Sequence, residues 1–212
     1  MPNFGYSPLG WNKVNLGSYE EAHDLYQMAL ELLAEAGEQQ MIGMSYLGLG
    51  EVALVRQAYA EARQLLEESV AIYRQIGQRD EEGLALAELG CAVRALGHLS
   101  QVRQYLCEAL LVANETGALA TALFSVAHTA LLLADQGEPE RAVELYALAS
   151  RYPYVGHSRY WEDLAGRHIA AVAATLPPEV VAAAEARGRA RDLAATVTEL
   201  LAELRETWRL PG

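Results

Sequence analysis

A forty-residue repeat of small and large side chains restricts the fold of this chain more than any other feature. The stretch GSYEEAHDLYQMAL, residues 17–30, carries Tyr19, Ala22 and Tyr26. Forty residues on stand Tyr59, Ala62 and Leu66, then Leu99, Val102 and Leu106, then Pro139, Ala142 and Tyr146. The sequence before each set repeats in the same register: Tyr6, Leu9 and Gly10; Tyr46, Leu49 and Gly50; Leu86, Leu89 and Gly90; Val126, Thr129 and Ala130. Spacings of three and four residues put each set on one helical face. Each unit therefore reads as a hairpin of two helices. The small residue at 10, 50, 90 or 130 admits the partner helix, and Ala22, Ala62, Val102 or Ala142 faces it. Large residues at 26, 66, 106 and 146 are expected between successive hairpins. One hairpin cannot bury its apolar face alone, so the units must stack.

Strand signals are nearly absent, and Ala, Leu, Glu, Gln and Arg dominate. The breaks are short and centred on Gly37, Gly77, Gly97, Gly117 and Gly137. The fold class is thus all-α, with helices of about 12–18 residues and short turns. Ser18 to Glu21 reads as a capping box. Asp80, Glu81 and Glu82 set negative charge at the positive end of a helix. Pro139 suits a first turn, where its missing N–H costs nothing.

The pattern Y-x-x-LG followed by G-x-Y-x-x-A-x-x-x-Y-x-x-AL resembles the tetratricopeptide repeat, best at Tyr46 to Val70 and Tyr6 to Leu30. The resemblance covers residues 3–150 and implies a right-handed α-solenoid. Hairpins are expected at 3–36, 43–76, 83–116 and 123–151, with an aromatic turn and capping helices over 151–212. The period exceeds the usual ~34 and nears that of HEAT and armadillo repeats. The six extra residues are assigned to longer helices or turns. Such longer repeats are similar to those ending bacterial signalling ATPases of the STAND class and related helix-turn-helix activators. The stretch 176–204 resembles the tail closing those arrays, through Ala184, Ala186, Gly188, Arg189 and Ala190. The resemblance implies a sensor or scaffold module of a bacterial signalling protein, with its nucleotide-binding and effector parts upstream.

Charge narrows the partners. Residues 1–150 hold 20 acidic and 8 basic side chains, whereas 151–212 hold 8 of each. An acidic array repels phosphate backbones, which argues against nucleic acid. No apolar run is long enough to span a membrane, and the first ten residues lack a secretory signal pattern. Cys91 and Cys107 fit a reduced, cytoplasmic chain better than a disulfide framework.

Catalytic and cofactor motifs fail on context. GLGEVA (48–53) mimics a dinucleotide fingerprint but lies within a helix. Lys13 is the sole lysine and follows no phosphate-binding loop. His157, Glu162, Asp163 and His168 do not share one helical face, so no metal is expected. Ser158 beside His157 has no third partner. No cofactor is expected and the chain reads as no enzyme. Arg187, Arg189 and Arg191 form the sole basic cluster, read as a solvated capping helix or else a contact for an acidic partner. Arg187 and Arg191 fall on one side, and Glu185 pairs with Arg189.

Two surfaces remain for a partner. In tetratricopeptide arrays the first helix of each hairpin lines the concave face. The register lists Ser7, Trp11, Val14 and Asn15; Met44, Leu47, Glu51, Leu54 and Val55; Leu84, Ala87, Cys91, Arg94 and Ala95; and Phe124, Ala127, Leu131, Ala134 and Asp135. This lining is mostly apolar. It lacks the Lys, Asn and Arg clamp of the chaperone-tail-binding relatives and the asparagine ladder of peptide-pheromone receptors. It suits an amphipathic helix or another part of the parent protein. Longer helices closing the groove, with these residues as core, is the alternative. The second surface is RYPYVGHSRYW (151–161), with Tyr152, Tyr154, Tyr160 and Trp161, read either as a seal for the array or as an aromatic binding edge. The chain therefore reads as a module that binds a protein or peptide. A small-molecule sensor, with Trp11, Tyr46 and 151–161 as candidates, or a stand-alone adaptor is the alternative. The uncapped end of unit 1 invites self-association.

Overall fold

The computed structural model describes residues 6–209, and every regular element among them is helical. Four antiparallel hairpins come first: α1 (Tyr6–Leu16) with α2 (Tyr19–Ala36), α3 (Gln39–Val55) with α4 (Tyr59–Ile76), α5 (Arg79–Ala95) with α6 (Leu99–Thr116), and α7 (Leu119–Asp135) with α8 (Pro139–Ser150). Each hairpin packs on the next, so the stack is a solenoid with one continuous core. Helices of 17 and 18 residues fill nearly the whole period. The six residues beyond the usual repeat thus lie in the helices. The expected starts at 43, 83 and 123 fall four residues late, because Gly37, Gly77 and Gly117 adopt positive φ and let the chain re-enter a helix at once. The start of hairpin 1 at residue 3 lies outside the described residues.

The small positions of the repeat admit the large ones. A Cβ on Gly50 would stand 2.6 Å from Leu66, and one on Gly90 3.2 Å from Leu106, each within one hairpin. Tyr26 is gripped from two sides: a Cβ on Gly10 would approach its ring to 2.7 Å, and one on Gly48 of the next hairpin to 2.0 Å. Leu66 and Leu106 therefore fill their own hairpins, and Tyr26 also bridges to the next one as expected. The capping box does not form. Ser18 makes no side-chain cap, since its ψ of 62° departs from the extended backbone a cap needs. Its N–H instead bonds Lys13 O at 2.9 Å, and Glu21 pairs with Lys13 at 2.7 Å. Pro139 opens α8, and the acidic triplet occupies the first turn of α5.

The turn inside each hairpin repeats as well. Ser18, Ala58, His98 and Glu138 donate to Lys13, Ala53, Val93 and Leu133, closing the same six-residue loop each time. The residue before each donor has positive φ: Gly17, Gly97 and Gly137, but Gln57 (61°) in hairpin 2. A side chain there costs about 1 kcal/mol or more. Gln57→Gly is expected to stabilise the chain by about 0.5–1 kcal/mol after the entropy glycine loses on folding. An unchanged or lower midpoint in denaturant titration would count against this account.

Pro153 ends the pattern. It holds Tyr152 extended (ψ 138°), so α8 stops at 12 residues and the chain turns away. It continues through α9 (Pro153–Gly156), α10 (Arg159–Trp161), a π-helical turn (Glu162–Gly166) and α11 (Arg167–Ala173). In this strap α10 packs on α1, the π turn on α3 and α7, and α11 on α7 and α8. The strap thus joins the fourth hairpin back to the first. Then α12 (Pro178–Ala190) lies on α8, and α13 (Leu193–Arg209) lies on α6 and α7.

The close contact of α12 with α8 rests on the tail motif. A Cβ on Gly188 would stand 2.1 Å from Glu144 O and 2.9 Å from the Ala147 Cβ, and Ala184 is fully buried. Arg187 and Arg191 share one side as expected; Arg187 is exposed and Arg191 half-buried, and both are paired with acids of this chain rather than free for a partner. Arg187 holds Glu140 (2.5 Å) and Glu144 (2.8 Å), and Arg191 holds Glu144 (2.6 Å) and Glu199. Burial pushes the Glu144 carboxyl up, and the two guanidiniums outweigh it and hold it below the usual range. Glu185 pairs with Arg189 at 2.8 Å.

Candidate functional site

The strap decides what remains of the concave face. Trp161 is fully buried, with ring centroids 4.7 Å from Phe124, 4.9 Å from His128 and 5.5 Å from Tyr160. Tyr160 is buried beside it and donates to Glu88 Oε2 at 2.7 Å. These two members of the sequence-predicted aromatic edge are therefore core, and they seal the interior. The other two diverge. Tyr152 is half-buried under the Arg151 guanidinium, 5.0 Å from its ring centroid. Tyr154 is exposed and meets Trp11 with centroids 6.3 Å apart.

A clasp holds the strap on hairpin 1. Asp163 accepts from Tyr19 Oη at 2.8 Å and from Arg159 Nε at 2.8 Å, and pairs with Arg167 at 2.8 Å. The Arg159 hydrogen bond, outweighing burial and helped by Tyr19 and Arg167, holds the Asp163 carboxyl below its usual range. His168 lies 3.7 Å from Asp135 instead. Among the described residues no group of three or more metal-ligating side chains forms.

Between the four hairpins and the strap a cleft of about 300 Å³ stays open. It gathers six of the predicted concave residues: Trp11, Met44, Leu47, Glu51, Leu84 and Phe124. Trp11 is 36% exposed at the mouth, Met44 and Leu84 are half-buried, and Leu47 and Phe124 are buried. The remaining predicted residues do not line the cleft. Leu54, Cys91 and Leu131 are buried in the core, because 17-residue first helices and the strap enclose them. Arg94 pairs with Asp135 at 2.6 Å, α5 to α7. The side chain of Ser7 is outside the described residues.

Sequence reasoning missed part of the lining. Tyr26 and Tyr73, on second helices, fill the hairpins and also reach the cleft. Gln40, Glu81 and Ala120 come from first turns lying before the expected hairpin starts. Gly37, Gly77 and Gly117 mark those breaks in the sequence, but the pattern did not show that the next helix starts two residues after each.

Under the cleft lies a buried polar group. His128 Nε2 stands 3.3 Å from Glu88 Oε2, the same oxygen that receives the Tyr160 hydroxyl. Burial works against a charged imidazole, but Cys91 and Glu88 beside His128 raise its pKa above the ordinary value. Burial, then the Glu88 carboxyl, pushes Glu51 well above the carboxylate range, only partly offset by His128.

The family model described as Tetratricopeptide repeat matches residues 41–115, the span of α3 to α6 apart from its end residues. These repeats are non-catalytic and generally mediate protein–protein interaction. No curated protein and no solved structure gives a match. Among the described residues no helix is long and apolar enough to cross a membrane.

Proposed function

We propose that this chain is a non-catalytic recognition module whose partner, a protein or peptide, engages the mouth of the cleft. The observation that carries the reading is the mouth itself. Exposed Trp11 and Tyr154 stand together there, beside half-buried Met44 and Leu84. Aromatic and methionine side chains at a concave rim are favoured at interfaces. The repeat family's general role points the same way. The resemblance of residues 176–204 to the STAND tail supports a finer reading: the sensor part of a bacterial, cytoplasmic signal-transduction protein, with upstream domains of the parent protein as one candidate partner. The acidic hairpins argue against nucleic acid as that partner.

Met44→Asp combined with Leu84→Asp tests this. Both side chains are half-buried, so a charge can reach water without entering the core. The double variant is expected to keep its helical circular dichroism and to lose about 2 kcal/mol or more of partner affinity. Cross-linking in the native lysate, wild type against variant, measures this. Capture of the same proteins in the same amounts by both would sink the reading.

A second reading, a small-molecule sensor, is favoured by one observation. The cleft is lined by Glu51, a residue only 3% exposed, together with Trp11, Tyr26, Tyr73 and Phe124. Its volume reaches the lower end of small-ligand pockets.

A further inference from the structure

We propose that the cleft is a binding site for an organic ammonium group on an apolar body, with the Glu51 carboxylate as its counterion. The inference rests on the reading of the cleft as a ligand site and names the chemistry of what enters it. Glu51, on α3, lines the cleft and is 3% exposed. The groups that face it are Glu88 and Glu81 from α5, His128 from α7, Tyr26 from α2, Tyr73 from α4 and Tyr160 from α10. His128 is the one cation among them, and it sits on Glu88, as does the Tyr160 hydroxyl. Glu51 is left with charge interactions at a distance and no hydrogen-bond donor among the described residues.

A 3% exposed acid that meets no donor but the solvent of the cleft is costly to keep, and an apolar residue of similar size would pack there without that cost. A ligand that supplies the missing donor removes the penalty. The surroundings select its charge. Trp11, Phe124, Tyr73 and Tyr26 wall the cleft, and aromatic faces attract cations. Glu81 at the cleft and the acidic hairpins repel carboxylates and draw ammonium. Met44, Leu47 and Leu84 leave an apolar surface for the body of the ligand.

Binding couples to one proton. Burial and the Glu88 carboxyl favour the protonated form of Glu51 in the empty cleft. An arriving ammonium keeps its own protons, and the Glu51 proton leaves to solvent, so the ion pair forms. Affinity therefore rises with pH by about tenfold per unit below the pKa of empty Glu51, and levels off above it.

The test uses titration calorimetry on the full chain with phenethylamine, 2-phenylethanol and 3-phenylpropionate, in two buffers of different ionisation heat. The amine is expected to bind with release of up to one proton, and the alcohol and the acid at least about tenfold more weakly. Glu51→Gln, which keeps the shape of the neutral acid, is expected to lower amine affinity at least about tenfold and to abolish proton release. If that variant does not fold, Trp11→Ala at the exposed mouth serves, and is expected to weaken the amine more than the alcohol. A hexapeptide bearing one lysine and an acetylated N-terminus, against its norleucine twin, tells a partner's lysine from a free amine; tighter binding of either cation supports the proposal. Equal binding of amine and alcohol, undiminished amine binding by Glu51→Gln, or no cation bound at millimolar concentration overturns it. Such a failure with partner capture intact removes the ammonium site and leaves the recognition reading standing. Loss of the recognition reading with amine binding intact does the reverse.

Discussion

Trp161→Ala is expected to lower the unfolding free energy by about 3–5 kcal/mol and to release the strap from the concave face. Trp161 has no exposed surface, and its ring meets Phe124, His128 and Tyr160. Truncation removes the transfer energy of the indole and leaves a cavity that packed helices on several sides cannot collapse into. It also opens the Glu88–His128 pair to water. The effect should be local first. Amide exchange is expected to speed up in residues 151–173 before it does in α3 to α6, because the strap hangs on this side chain and the Asp163 clasp. The indole Nε1 has no hydrogen-bond partner among the described residues, so part of the burial gain is already offset. Trp161→Phe is then expected to cost clearly less than the alanine change. A denaturant midpoint for Trp161→Ala within about 1 kcal/mol of wild type would mean that the strap is not held this way.

Gly188→Ala should be destabilising even though it improves helix propensity. Propensity favours alanine by about 1 kcal/mol in a helix interior. Against that, the new methyl would stand 2.1 Å from the Glu144 carbonyl oxygen, and backbone cannot swing aside as a side chain can. Overpacking of this kind costs about 1–3 kcal/mol and occasionally more, so at this distance the clash wins. α12 must shift outward, and Arg187 and Arg191 then reach Glu144 less well. Faster proteolysis within residues 178–209 and a lowered thermal midpoint are the expected readouts. A midpoint equal to or above wild type would show that α12 does not lie so close.

These two sites sit on opposite sides of what the sequence could reveal. Gly188 belongs to a readable pattern: small residues at helical spacing, a tail that resembles known caps, and arginines on one side. Even there, the sequence left Arg187 and Arg191 as solvated or partner-facing, since Glu140 and Glu144 lie more than forty residues away on α8. Trp161 belongs to no repeat position. Its neighbours come from α7 and from the strap itself, and no spacing along the chain announces that meeting.

The sequence by itself determined the hairpins. Their small and large positions are local, recur every forty residues, and work through contacts between helices adjacent in the chain. The tertiary structure alone decided the fate of the concave face. Whether Leu84 is rim, Leu131 core or Tyr160 seal depends on where residues 151–173 turn after Pro153, and on Asp163 reaching Tyr19 across the array. Contacts between the strap and the first hairpin carry no period. They bring Tyr154 beside Trp11, and with them Glu51 comes to line a cleft.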